Sequence, residues 1–154
     1  MMKFIIINMS LPSQFIEKNY GDILIYHYVE ELVSDFSKFS DDNYDDEIVS
    51  LDEMPFLLRI RFQDKSTQKD LVKLFHVSNG QASKILRRFE DKNLIIRKED
   101  PESRRRKIVK LTPKGIEKTD EILEHIKSWE NSHDLSDEEI KMLKRLLFKF
   151  LSEN

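Results

Sequence analysis

The chain has no cysteine, and its 154 residues include only three glycines and four prolines. The absence of cysteine excludes a disulfide framework, a thiolate metal site, an iron–sulfur cluster and a cysteine nucleophile. The glycines, at positions 21, 80 and 115, are too far apart to form a phosphate-binding loop of the dinucleotide or P-loop type. No apolar run approaches the length of a membrane span, and the first residues lack a cleavage site for secretion. We therefore expect a cytoplasmic protein that does not associate with a membrane.

Catalytic and metal-binding patterns are also missing from the sequence. No grouping of Ser, His and Asp and no pair of carboxylates stands out from the surface charges. The four histidines show no paired helical spacing, which argues against a zinc site, although ligands from distant segments would leave no such pattern. We expect no enzyme, no cofactor and no bound metal.

Charge is distributed unevenly along the chain. The formal net charge is −3, but residues 1–64 carry −8, residues 65–115 carry +9 and residues 116–154 carry −4. A basic middle between acidic ends is expected when one segment approaches phosphates and the rest provides the scaffold. Chance clustering of solvated charges is the alternative at this point.

Apolar periodicity predicts a mainly helical N-terminal part. Apolar residues recur every three or four positions over residues 22–39, which is typical of an amphipathic helix, and an acidic loop follows at 41–47. A short helix is predicted over 52–62, with Asp52 as its N-cap and Pro55 in its first turn.

Two capping boxes mark the next pair of helices. Thr67 is followed at the third position by Asp70, and Ser78 is followed in the same way by Gln81. Two helices joined by a turn of three or four residues form a helix-turn-helix. The second helix is predicted to extend to about Lys92, and its predicted buried residues are Ala82, Ile85, Leu86 and Phe89.

After Asn93 the apolar period changes from about 3.6 to about 2. Residues 94–98 and 108–111 are predicted to form two strands, and the polar residues between them to form the tip of a hairpin. This tip would carry the basic residues 104–107. A basic hairpin directly after a helix-turn-helix indicates a winged helix.

Two further helices are predicted after the hairpin. Thr112 and Pro113 are the N-cap and the first residue of one helix, which is interrupted at Asn131. A capping box at Ser136 begins the last helix, which repeats apolar residues at near-heptad spacing. This helix and the one over 22–39 are more apolar than one small domain can hide. We expect a partner to cover them, with packing on their own subunit as the alternative.

The exposed face of the second helix of the helix-turn-helix has the chemistry to enter a major groove. Its N-terminal half offers amide, hydroxyl and ammonium groups for base edges, at Asn79, Gln81, Ser83 and Lys84. Arg87 and Arg88 are placed for phosphates, and a basic hairpin suits the minor groove. The candidate DNA-binding residues are Thr67, Ser78, Asn79, Gly80, Gln81, Ser83, Lys84, Arg87 and Arg88 in the helices, and Arg104, Arg105, Arg106 and Lys107 in the hairpin.

Residues 67–115 resemble the MarR family of winged-helix transcriptional regulators. The matching stretch is TQKDLVKLFHVSNGQASKILRRFEDKNLIIRKEDPESRRRKIVKLTPKG. The family's wing signature is an Asp, any residue and an Arg, followed by a strand that ends in Leu-Thr and by a Gly shortly after. Leu111, Thr112 and Gly115 match this signature.

This match places the signature arginine at Arg105 and puts Ser103 where the family has Asp. In the family, that Asp fixes the wing arginine through a salt bridge. We therefore expect either a looser wing or substitution by Asp100 or Glu102.

The resemblance implies a single MarR-like domain over residues 1–154, mainly α-helical with a small β-wing. Its winged helix-turn-helix would cover about 50–112, and long helices at about 20–40 and 113–154 would form a dimerisation lobe. The family is composed of homodimeric regulators that bind pseudo-palindromic operators in double-stranded DNA. A two-fold dimer predicts half-sites about 34–36 Å apart. The sign of regulation, repression or activation, is left open.

The resemblance also implies modulation by a small aromatic ligand in a cleft between the dimer helices and the DNA-binding lobe. Tyr26, His27, Phe56 and Arg59 lie in the segments concerned, but core packing or solvation explains each of them more simply. We assign no ligand-binding residue. A winged helix that binds an acidic protein partner, without specific DNA binding, is the alternative function.

Overall fold

The computed structural model describes residues 20–63 and 65–152. These residues contain six α-helices and one antiparallel sheet of two strands. In chain order the elements are α1 (Ile25–Asn43), α2 (Met54–Phe62), α3 (Gln68–Phe75), α4 (Asn79–Asp91), β1 (Ile95–Asp100), β2 (Ser103–Leu111), α5 (Pro113–Asn131) and α6 (Asp137–Ser152). Helices α3 and α4 with the β1–β2 hairpin form the predicted winged helix-turn-helix. The apolar residues 4–7, for which the sequence leaves a strand, a helical turn or a dimer arm open, lie outside the described residues.

The chain divides into two compact units, residues 1–51 and 52–154. In the first unit, α1 continues to Asn43, four residues beyond the predicted end. The continuation is stabilised by the N–H of Tyr44, which donates to Ser40 O (2.8 Å), and by Asn43 Nδ2, which donates to Phe39 O (2.7 Å). Large apolar side chains of α1 are exposed, namely Ile25, Tyr26, Val29, Leu32 and Val33.

Helix α2 opens the second unit, and its N-cap is Glu53 rather than the predicted Asp52. The side chain of Glu53 makes no capping bond. Its carboxylate is buried and paired with Arg88 of α4, a long-range contact that no local sequence pattern shows. Pro55 lies in the first turn, as predicted.

The core of the second unit is made by α2, α3, α4, the sheet and α5, which contributes the fully buried Ile122. Its fully buried apolar residues include Leu57, Leu71, Leu86, Phe89, Leu94 and Ile95. Phe56 is also buried and its ring lies 4.3 Å from that of Phe75, between centroids, so it belongs to the contact between α2 and α3. Ile85, which is predicted to be buried, is only half-buried.

Both predicted capping boxes are confirmed at the start of the two central helices. The N–H of Asp70 donates to Thr67 Oγ1 (3.2 Å), and the N–H of Thr67 donates to the Asp70 carboxylate (3.0 Å). Ser78 and Gln81 make the same reciprocal pair at α4. Between the helices His76 adopts the left-handed conformation with φ 51° and ψ 38°, which ends α3 and turns the chain into α4.

The wing is longer than the sequence predicts. The strands pair from Ile95 opposite Leu111 to Glu99 opposite Lys107, and the register shifts after Glu99. Residues 104–107, predicted at the tip of the hairpin, lie instead within β2, and the turn is at 101–102. The prediction was wrong because apolar alternation ends at 108, whereas the ladder continues through Glu99 opposite Lys107 and, after the register shift, Asp100 opposite Ser103.

Helix α5 begins against the sheet, and Thr112 Oγ1 accepts from the N–H of Gly115 (3.0 Å) as the predicted cap. A Cβ at Gly115 would lie 2.0 Å from the carbonyl oxygen of Leu94, so only glycine fits this approach. At the start of α6 the predicted reciprocal bonds between Ser136 and Glu139 are present.

No residue of α6 between 137 and 152 is buried. Its exposed apolar residues are Met142, Leu143, Leu146, Leu147, Phe148, Phe150 and Leu151. Over the described part of the chain, none of the helices combines the length and the apolar character needed to cross a bilayer.

Candidate nucleic-acid interface

Helix α4 presents a polar face to solvent because Ala82, Leu86 and Phe89 anchor its opposite side in the core. The candidate residues on it are exposed at Asn79, Gly80, Gln81, Lys84, Arg87 and Arg88, and half-buried at Ser83. The spacing of the buried residues therefore orients the basic side chains outward. Neither Lys84 nor Arg87 is in an ion pair with any described residue.

Two other candidates act as caps in this structure. Thr67 is 7% exposed, and its hydroxyl donates to Asp70 Oδ2 (2.7 Å) while it accepts from the Asp70 N–H. Ser78 is exposed, and its Oγ accepts from the N–H of Gln81 (3.1 Å). Both hydroxyls stabilise helix N-termini, which fixes how the two helices begin.

Arg88 connects α4 to the start of α2. Its Nη1 lies 2.8 Å from Oε1 of Glu53, a carboxylate that is 6% exposed, whereas the Arg88 side chain is 46% exposed. This ion pair ties α4 to the start of α2, and part of the Arg88 guanidinium still faces solvent. The sequence indicates the charge of Arg88 but not this partner, which lies 35 positions away.

A polar network that the sequence analysis missed links the wing to α4. Arg97 of β1 pairs with Glu90 through Nε and Oε1 (3.0 Å), and its Nη1 contacts Gln68 Oε1 at 3.5 Å. Gln68 Nε2 donates to the backbone oxygen of Asn79 (3.3 Å). The only sequence signal is that strand alternation places Arg97 on the same side as the buried Ile95. These contacts join β1, α3 and α4.

The wing is held by Asp100 and Arg106. The buried Asp100 carboxylate accepts from the N–H of Glu102 (3.1 Å) and from Arg106 Nε (2.7 Å). The backbone N–H of Glu102, and next the Arg106 side chain, hold the pKa of Asp100 below its ordinary value. Asp100 is one of the two acids expected to replace the missing family Asp, but it pairs with Arg106 rather than with the signature Arg105.

The rest of the basic run stays at the surface. Arg104, Arg105 and Lys107 are exposed on β2, and neither Arg104 nor Arg105 is in an ion pair with a described residue. The other edge of β2 is fixed by the N–H of Val109, which donates to Ser66 O (2.8 Å). The wing therefore presents cations on a strand that pairs with β1 and is bonded to Ser66 at its base.

An open groove of about 360 Å³ lies between α2, β2 and α5. It is lined by Ile60, Arg61, Gln63, Val109, Lys110, Leu111 and Ile116. Arg61 is already bound to Thr119 Oγ1 (2.6 Å) and Asp120 Oδ1 (2.7 Å). Within residues 20–63 and 65–152, no group of three or more acidic or histidine side chains could hold a metal ion.

The fold and the exposed cations define a winged-helix protein with long flanking helices. Residues 49–107 match the MarR family model. The chain is similar to the crystal structure of MarR, with 28% identity, a TM-score of 0.65, and coverage of 81% of this chain and 96% of that one. The chain thus has the fold of the MarR-family transcriptional regulators, and the resemblance predicted from its sequence is confirmed.

Two further similar structures are of MepR from S. aureus. One is MepR bound to ethidium bromide, with 25% identity, a TM-score of 0.57, and coverage of 86% of this chain and 98% of that one. The other is a MepR mutant bound to an oligodeoxyribonucleotide, with 28% identity, a TM-score of 0.54, and coverage of 85% and 99%. A comparison with curated protein sequences gave no match.

Proposed function

We propose that the protein is a sequence-specific DNA-binding regulator of transcription. The observation that carries this proposal is the outward face of α4, where Lys84 and Arg87 have no acidic partner among the described residues and Arg88 is half-exposed. This face lies in the segment of charge +9, between acidic segments. The similarity to a MepR mutant bound to an oligodeoxyribonucleotide supports duplex DNA as the partner.

In the proposed complex, α4 enters the major groove and the wing lies along the adjacent minor groove. Cations on the wing meet the stronger negative potential of a narrow groove there. Arg105 would contribute to binding of every duplex, because a minor-groove or phosphate contact carries little sequence information. In this proposal, residues of about 50–112 bind DNA, and residues of about 20–40 and 113–154 form the interface between two subunits.

The regulator is proposed to act as a homodimer on a pseudo-palindromic operator. The support is that α6 has no buried residue and exposes seven large apolar side chains, while α1 exposes a second set. Apolar surface of this extent on two helices is typical of an interface between subunits. Two α4 helices related by a two-fold axis would meet successive major grooves, about 34–36 Å apart.

A small aromatic ligand is the proposed effector, as in the similar structure of MepR with ethidium bromide. No described side chain is assigned to it. The protein is proposed to act without catalysing a reaction, in the cytoplasm where its DNA would be found. A panel of small aromatic acids tested by thermal shift, followed by DNA binding with each stabilising compound, would identify the effector.

Fluorescence anisotropy with the DNA upstream of the protein's own gene, compared with a scrambled duplex at several salt concentrations, tests the function. We expect at least about thousandfold tighter binding to the native duplex and a steep salt dependence. Arg105→Ala is expected to weaken binding to both duplexes and to leave the oligomeric state unchanged. Equal binding to the two duplexes, repeated after selection from a random library, would contradict sequence-specific recognition and favour an acidic protein partner.

A further inference from the structure

Gln81 caps the N-terminus of α4 with the oxygen atom of its side-chain amide. Its Oε1 accepts from the N–H of Ser78 (3.0 Å), while its own backbone N–H donates to Ser78 Oγ. A backbone N–H can only donate, so the amide atom that faces it is the oxygen. The Oε1 of Gln81 is therefore turned towards its own helix, and Nε2 is the amide atom that can still contact a ligand.

This orientation decides which base Gln81 can recognise. A glutamine recognises adenine through both atoms of its amide group, because the oxygen accepts from N6 and the nitrogen donates to N7. Guanine presents two acceptors, O6 and N7, in the major groove, so a donor alone is sufficient. Bidentate reading of adenine would require Gln81 to release the cap of α4, and Nε2 alone would find only one acceptor on adenine, N7, beside the N6 donor.

The side chains around Gln81 strengthen this preference. Lys84 and Arg87 are exposed and carry only donors, and Gly80 has no side chain. Asp91, an exposed acceptor, is the last residue of α4 and lies about 15 Å from Gln81 along the helix axis. Recognition helices contact base edges with their N-terminal residues, so Asp91 is at the wrong end.

We propose that Gln81 is a specificity-determining residue that reads guanine through Nε2, at one base pair of each half-site. The proposal rests on the proposed function, because it requires α4 to bind in the major groove of DNA. Asn79 is exposed at the first position of the same helix and has no capping role, so it provides a neighbouring reference residue.

The first experiment compares base preferences of the parent protein and Gln81→Glu. Glutamate keeps an oxygen for the Ser78 N–H, as in the usual capping box, but it removes the donor. Selection from random duplexes, followed by anisotropy competition with every single base-pair change, gives the preference at each position. Asn79→Asp is the matched control because it introduces the same charge two residues away.

We expect one position at which the parent prefers guanine and Gln81→Glu prefers cytosine, whose N4 donates to a carboxylate. The change in relative affinity at that position should be at least about tenfold. Asn79→Asp, at another candidate base-contact residue, should lower the overall affinity and alter preference only at its own base pair, and it should leave the guanine preference at the Gln81 position unchanged. The melting temperature of Gln81→Glu should match that of the parent, because the cap is retained.

Substitution of that guanine by 7-deazaguanine provides a test that needs no protein variant. Loss of N7 should weaken binding of the parent at least about fivefold and should hardly affect Gln81→Glu. A uniform loss of affinity across all positions in Gln81→Glu, or equal binding of the parent to guanine and adenine at that position, would overturn the proposal. Indifference of the parent to 7-deazaguanine together with a retained preference for guanine over adenine would support it and assign the contact to O6. If the parent has no base preference at all, the proposed function itself fails, which is a separate result.

Discussion

Arg87 and Arg88 are adjacent on α4 and have the same charge, but their surroundings differ. Arg88 pairs with the buried Glu53, whereas Arg87 is exposed and has no ion-pair partner in the described chain. A phosphate that binds Arg88 must compete with Glu53 for the guanidinium. From the sequence, both arginines are predicted to contact phosphates. Their surroundings indicate that Arg87 contributes to DNA binding, whereas Arg88 also stabilises the fold.

Arg87→Ala should weaken binding to all duplexes and reduce the slope of log affinity against log salt by about 2, about 1 for each subunit of the proposed dimer. Its free energy of unfolding should stay within about 0.5 kcal/mol of the parent. Arg88→Ala should instead lower that free energy by about 1–3 kcal/mol, because the buried Glu53 loses a charged partner. Urea denaturation and salt-dependent anisotropy measure the two effects. Equal losses of stability in the two variants would contradict the difference in their surroundings.

Asp100 provides a pH-dependent test of the wing. Its folded-state pKa is lowered, first by the Glu102 N–H and next by Arg106, so its ionised form stabilises the fold above the ordinary Asp pKa of about 3.9. That contribution is lost as the pH falls through the lower, folded-state value. Asp100→Asn should therefore be less stable than the parent at pH 5–7, and the difference should narrow below about pH 3.9.

Urea denaturation from pH 3 to pH 7 measures this difference for Asp100→Asn. Glu102→Gln is the control, since its carboxylate is exposed and lies 3.6 Å from an exposed Lys65. Faster trypsin cleavage in the basic run of Asp100→Asn would show that the wing has loosened. A stability difference that stays constant over the whole pH range would exclude an electrostatic role for Asp100.

At the scale of elements, the sequence correctly predicts the helices that have a capping box at their N-terminus. Helices α3 and α4 begin where their capping boxes place them, because Thr67 and Ser78 satisfy orphan N–H groups within one turn. The start of α2 and the length of the wing were mispredicted, since the N-cap Glu53 has its partner 35 positions away and the strands continue beyond the apolar alternation. Arg88 with Glu53, and Arg106 with Asp100, become visible only when the chain is folded.

The junction between the sheet and α5 gives a prediction at the scale of elements. Gly115→Ala should lower the free energy of unfolding by about 1–3 kcal/mol, because the new methyl group meets the Leu94 carbonyl and the elements must separate. Gly80→Ala is the matched control, since its Cβ would approach no closer than 3.8 Å, to Ser78 Oγ. That variant should be neutral or more stable by up to about 1 kcal/mol. Similar losses in both variants would contradict the contact with Leu94 as the cause, because a Cβ at Gly80 meets no comparable obstacle.

At the scale of the whole molecule, the apolar face of α6 predicts association. The double variant Leu143→Glu, Leu147→Glu should be monomeric in size-exclusion chromatography with light scattering at concentrations where the parent is a dimer. Carboxylates in an apolar interface would lose solvation without a partner. Lys149→Glu, which changes charge on α6 without removing an apolar side chain, should remain dimeric. A dimeric double variant would exclude α6 from the interface.

Because α6 has no buried residue, the order of this helix should depend on the concentration of the protein. A helix of 16 residues with no buried side chain is marginal in water, so the order of α6 should depend on the formation of the proposed dimer. Folding of this segment is then coupled to a second-order process, and its helicity should rise with protein concentration. While monomers predominate, a doubling of synthesis would raise the amount of dimer about fourfold. A gene controlled by this protein would thus respond more than proportionally to small changes in the number of copies per cell.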